Sequence, residues 1–379
     1  MNVAMLLFYS MPIAFMEAFT TQVDVFSCLV FLLFLYFIIG FWNQSLVILK
    51  LNEYRIKLLC IAILTGIGYI SKPSICVSMA ILYLGIFIQM IRNKENFIRI
   101  IKVIFFCAAV TLIIVFLEFY RNVLTFGSLS PESVGHRQLV ETAHPLYILL
   151  NFIKNFMMNM INKLTANNRI YLENLLYWIA ALFNINADDT AISENGRAFD
   201  LDVNNPLAPD CDTAINPLIF YSFIISSIIL VTAYRKKRKI PPKISRYFIE
   251  TTLSVIALFI ILRWENYVTR YEISYLAMMC PLIAIVIEKV VNKKEYKIFA
   301  IGIISFLAIS DIVLLFETQI QLLPKALENR EGAYFLEYSN AYPPREEMIR
   351  IIKDKEYKNV GFIKESNGIE YTIWAMLRT

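Results

Sequence analysis

The sequence predicts an all-α, polytopic membrane protein of about nine transmembrane helices, with a small extracytoplasmic α/β tail. Three observations predict it. Of 379 residues, 58% are hydrophobic, above the roughly 45–50% of soluble domains, and the mean hydropathy is +0.57. Apolar runs recur at about the 20-residue length with which an α-helix crosses ~30 Å of hydrocarbon. Lys and Arg gather between those runs instead of along one face.

Taken in order, the predicted spans are residues 3–19, 25–41, 58–70, 73–91, 103–119, 215–234, 247–263, 272–291 and 298–317. The first lacks the basic flank of a secretory signal and a second apolar run follows at once, so it reads as a helix that stays in the membrane. The third is short enough for a half-helix. Lys50, Arg55 and Lys57, then Arg92, Lys94, Arg99 and Lys102, then RKKRK at 235–239, then Lys293, Lys294 and Lys297 fall on one side if every span crosses. The positive-inside bias makes that side cytoplasmic. The net charge of +5 therefore reads as a basic rim against membrane lipids, not as a nucleic-acid surface.

The organisation that follows is a membrane domain over 1–317, carrying an extracytoplasmic loop at 120–214, and a small extracytoplasmic region over 318–379. Trp42, Tyr83, Trp264, Tyr267 and Tyr271 sit near span ends, where amphipathic rings suit the headgroup level. Within the loop, LYILLNFIKNFMMNMINKL at 146–164 has apolar residues at helical spacing and reads as a helix lying in the interface. Residues 186–213 are acidic, rich in Asn and Pro, and read as a solvated loop. In the tail, PPREEMIRIIKDKEY reads as an amphipathic helix, NVGFIKE as a strand and SNG as a turn.

Chemistry-bearing residues collect at the outer ends of spans. Asp24 opens the second span, as a helix cap or as a carboxylate that orients an acceptor, binds a cation or acts as a base; Glu17 lies on the preceding run. In GIGYISKPS, Gly66 and Gly68 loosen the helix, Pro73 starts the next, and Lys72 is placed at the outer surface. There an ammonium suits a bound phosphate or lipid headgroups equally. Arg121, Arg263 and Arg270 occupy the same level, against the positive-inside bias, which favours an anionic ligand or lipid phosphate. His136 and His144, eight residues apart, match no zinc spacing. Five of the six cysteines lie in apolar runs, and Cys211 has no evident partner, so no disulfide or thiolate metal site is expected. No nucleotide-binding loop, dinucleotide fingerprint, nucleophile elbow or HExxH is found, and neither a cofactor nor a metal is expected. Asp311 alone lies well inside a late span, as an ion-coupling acid or a buried partner of an arginine.

In order along the chain, MPIAFMEAFTTQVDVFSCLVFLL, GIGYISKPS, FYRNVLTFGSLSPES, CDTAINPLIFYSF, VTRYEISYLAMMCPLIA and the tail YKNVGFIKESNGIEYTIWAML resemble segments of the multi-spanning C-type glycosyltransferases. This broad group includes protein mannosyltransferases and aminoarabinose transferases. The resemblance implies transfer of a sugar from a polyprenyl-phosphate donor to an extracytoplasmic acceptor. It implies Asp24 at the catalytic centre and Lys72, Arg121 and Arg270 at the donor phosphate. Members of the group begin with a further span and an outer loop bearing an acidic motif, whereas this chain starts at the Pro-containing helix. The expectation is therefore either an N-terminally truncated form or a protein that has lost the part that does chemistry, with little transfer of its own. Two other classes compete: a transporter or flippase of a lipid-linked or anionic solute, which predicts internal repeats and broken helices meeting at mid-membrane, and a non-catalytic membrane protein.

Overall fold

The computed structural model describes residues 2–18, 23–42, 51–129, 139–160, 169–201, 215–328 and 342–357, with positions 360, 373 and 377. Two compact units divide the chain, Met1–Ile312 and Val313–Thr379. The first is built from α1 (Asn2–Tyr9), α2 (Pro12–Glu17), α3 (Asp24–Trp42), α4 (Leu51–Ser71), α5 (Ile75–Arg92), α6 (Phe97–Phe126), α7 (Pro145–Met158), α8 (Arg169–Leu182), α9 (Pro217–Arg235), α10 (Pro242–Ile261), α11 (Ile273–Ile285) and most of α12 (Lys294–Glu328). A 3₁₀ turn at Val268–Glu272 leads into α11, and a π turn at Val286–Val290 leaves it. In the second unit, α13 (Tyr342–Asp354) is the helix expected of PPREEMIRIIKDKEY. Except for position 360, the predicted strand at 359–365 lies outside the described residues, as do His136 and Cys211.

Among the described residues, seven helices are long and apolar enough to cross a membrane; an all-α polytopic membrane fold is the plain consequence. The first predicted span is a different object: α1 and α2 break at Ser10 and Met11, and the eight residues of α1 reach only ~12 Å. Pro12 is the cause, because proline opens a helix readily but disfavours helical geometry in the residue before it. The two pieces pack instead on α11 and α3. The third predicted span is not a half-helix, since α4 runs for 21 residues. It also continues through Gly66 and Gly68. Those glycines serve close packing: a Cβ at 66 would meet Ile114 of α6 at 2.8 Å, and one at 68 would meet Met79 of α5 at 2.9 Å.

Apolar side chains on α6 such as Phe105, Ile113 and Leu117 are turned outward, an arrangement stable in lipid and costly in water. The bundle has two chemically distinct ends. At the basic end, the guanidinium of Arg246 donates to Glu250 (2.7 Å) and to Gln89, and lies 4.6 Å from the Trp42 ring. Gly85 makes room for this buried pair, since a side chain there would run into the Glu250 carboxylate. The other end brings together the start of α3, the α4–α5 turn, the 3₁₀ turn and the 139–201 segment, and it carries the polar chemistry.

Candidate functional site

Three segments distant in sequence meet at the polar end. Asp24 opens α3 and is 3% exposed; Lys72 follows α4 and is 8% exposed; their side chains form an ion pair. The Lys72 ammonium also donates to the Arg270 carbonyl at 3.2 Å and lies 4.2 Å from the centre of the Tyr271 ring. Tyr275 of α11 donates to the Ser74 carbonyl at 2.8 Å, tying the α4–α5 turn to the same place. The guanidinium of Arg270 is 5.9 Å from the Tyr271 ring and 6.0 Å from that of Tyr267. An ammonium and a guanidinium gathered around two aromatic rings are groups whose chemistry suits an oxyanion.

Arg121 is not brought into this cluster. It lies on α6, 66% exposed, and pairs with Glu118 one turn away. The reason is packing: α6 lies chiefly against α4. Arg263 is also placed elsewhere, bonding the Thr190 carbonyl at 3.0 Å and facing Glu141 at 3.6 Å. His144 precedes α7 and meets the Tyr147 ring edge-on. Asp311 lies on α12.

Within the segment expected to lie in the interface, Asn151, Lys154 and Asn155 of α7 and Asn159 just after it are all fully buried. A helix end leaves carbonyls without partners, and α10 ends beneath α7. Asn151 donates to the carbonyls of Phe259 and Leu262, both at 2.8 Å, and accepts from the Trp264 amide at 3.0 Å. Asn155 donates to the same two carbonyls at 3.1 and 3.0 Å. Asn159 donates to the buried carboxylate of Glu272 at 2.6 Å. The acidic segment is not simply solvated either. Asp188 accepts from the Tyr177 hydroxyl at 3.0 Å and the Phe199 amide at 3.1 Å, while Phe199 meets the buried Trp264 ring at 5.2 Å. Residues 202–213 of that segment lie outside the described residues.

The effect of these contacts is to fix the turn between α10 and α11, and with it a carboxylate that the sequence reading passed over. Glu265 is half-buried in that turn, hydrogen-bonded to the Tyr271 side chain. Burial, and then the charge of Glu194, push its carboxyl above the ordinary range, with Tyr271, Arg270 and Arg263 pulling the other way. An acid beside Trp in the short RWENY turn was the available signal. For α7, the signal was amides rather than charges at the i, i+4, i+8 positions 151, 155 and 159, since an amide can be buried once its hydrogen bonds are met.

No protein-family model, curated protein or solved structure matches the chain. What this end of the molecule does has to be reasoned from its own chemistry.

Lys154 offers a direct check on the packing of α7. Its ammonium donates to Ser193 at 2.5 Å, faces Asp188 at 3.6 Å and lies 5.0 Å from the Trp264 ring. Burial lowers its pKa to about 8, against the pull of Asp188, whereas an unfolded lysine titrates near ~10.4. Below pH 8 both states hold the proton and the cost of burial is fully felt. Between about 8 and ~10.4 the folded state releases it first, the unfolded state binds more protons, and stability rises with pH. Thermal unfolding in detergent should therefore show wild type gaining on Lys154→Met as pH rises through this window. A pH-independent gap between the two would contradict the buried placement.

Proposed function

We propose that the chain is a membrane glycosyltransferase that takes a sugar from a polyprenyl-phosphate donor and passes it to an extracytoplasmic acceptor, with its basic end in the cytoplasm. The observation that carries this reading is the meeting of Asp24, Lys72, Arg270 and Tyr271, from three separate segments, at one end of a lipid-facing bundle. A polyprenyl chain lies in the bilayer and keeps its phosphate at the surface, the level at which these side chains sit. As the sugar departs, negative charge grows on that phosphate, and cations already oriented there stabilise it without reorganisation. Asp24 serves by holding the Lys72 ammonium in place: it is too buried, and too committed to that ammonium, to reach an acceptor. Arg121 drops out of the donor site in this reading.

The test is saturable binding of polyprenyl-phosphate sugars to the protein in lipid nanodiscs, together with transfer in proteoliposomes. Lys72→Met combined with Asp24→Asn keeps the pair neutral and should weaken donor binding by at least tenfold. Undiminished binding in that double variant, or uptake of an anionic solute into proteoliposomes without glycosyl transfer, would reject the enzyme in favour of a transporter.

A further inference from the structure

We propose that Glu265 is the catalytic base that accepts the proton of the acceptor hydroxyl, an assignment that rests on the polar end being a glycosyl-transfer site. Of the carboxylates next to Lys72 and Tyr271, Asp24 and Glu272 are buried, at 3% and 2% exposure, whereas Glu265 is half-buried and so open to a substrate arriving from the surface. Its place is set on both sides. Trp264, the residue before it, is fully buried and forms a parallel bridge with Ser193, and Tyr271 bonds its carboxylate.

The same tyrosine joins this carboxylate to the phosphate seat. Its hydroxyl end meets Glu265, and its ring face lies 4.2 Å from the Lys72 ammonium. Base and phosphate-binding cation thus share one aromatic side chain as a neighbour. Glu265 takes the proton from the acceptor O–H, and the freed electron pair on that oxygen forms the bond to the sugar's anomeric carbon. The bond from that carbon to the phosphate oxygen breaks, and its electron pair stays on the phosphate beside Lys72 and Arg270. A base works best when its pKa approaches the operating pH, and burial together with Glu194 moves Glu265 in that direction.

The experiment uses the whole chain in proteoliposomes with a panel of labelled polyprenyl-phosphate hexoses and pentoses, and glycerol and water as generic hydroxyl acceptors. Donor binding and sugar release are read separately. Glu265→Gln should keep donor binding within about twofold and lower the rate of sugar release by 10²–10⁴-fold, the range for loss of a positioned base; Glu265→Asp should restore part of it. The charged and titratable groups facing Glu265 are Glu194, Tyr271, Arg270 and Arg263, so Glu194→Gln should shift the acid limb of the pH–rate profile to lower pH. A structural role for Glu265 would not produce that shift. Wild-type release that survives in Glu265→Gln overturns the assignment and leaves the transferase intact. Donor binding with no release by wild type also overturns it, since these 379 residues would then lack a working base. Neither binding nor release overturns the assignment and the function together.

Discussion

Replacing Lys72 with Met should destabilise the protein by about 3–5 kcal/mol, the cost of stripping a buried charge of its partner. Asp24 is left with its carboxylate buried at the mouth of α3 and without the ammonium that balances it. The double variant Lys72→Met/Asp24→Asn removes both charges and should recover most of that loss, because replacing a buried pair outright is often close to neutral. Equilibrium unfolding in mixed micelles measures all three proteins. A single variant as stable as the double would mean that the pair carries no such energy. The double variant then isolates function, since it should fold yet withholds the Lys72 ammonium from a donor phosphate and leaves only Arg270 there.

The second large effect belongs to α7. In Asn151→Leu the carbonyls of Phe259 and Leu262 keep Asn155, the Trp264 amide still donates to the Ile192 carbonyl at 3.2 Å, and only a long 3.4 Å bond to the Ile260 carbonyl is lost outright. The single change should therefore cost only about 1–2 kcal/mol. With Asn155→Leu added, both carbonyls lose the amides that cap them, at about 1–3 kcal/mol each, and the double variant should cost more than its two singles combined, as coupled sites do. The turn that carries Glu265 loosens with it. Loss of stability and of sugar release should thus appear together in the double variant, while donor binding through Lys72 falls less. Strict additivity of the two singles would show that the amides act independently.

Much of the architecture was legible along the chain because hydrocarbon imposes a local rule: a helix must satisfy its own backbone, so an apolar run of sufficient length announces itself. The rule failed at Pro12, where hydropathy continues across a break that one ring imposes, and at α4, whose charged first turn hid seven residues of helix. The amphipathic pattern of α7 was also visible. Its direction was not, because a stripe of Asn and Lys looks the same whether water or a frayed helix end supplies its hydrogen bonds.

Composition and hydropathy were enough to show the lipid solvent, most of the helices, the clustering of Lys and Arg between them, and the placing of Asp24, Lys72 and Arg270 at the edges of apolar runs. Each is a property of neighbours in the chain. The meeting of distant segments then set the pairing of Asp24 with Lys72, the distance of Arg121 from that pair, and the covering of Asp24 and Glu272 while Glu265 stays half-buried beside Tyr271. Those outcomes depend on which helix ends meet and on which side chains the meeting covers. The pairing energy of a charge and the cost of its burial arise between segments some 50 to 250 residues apart, and no local pattern encodes them.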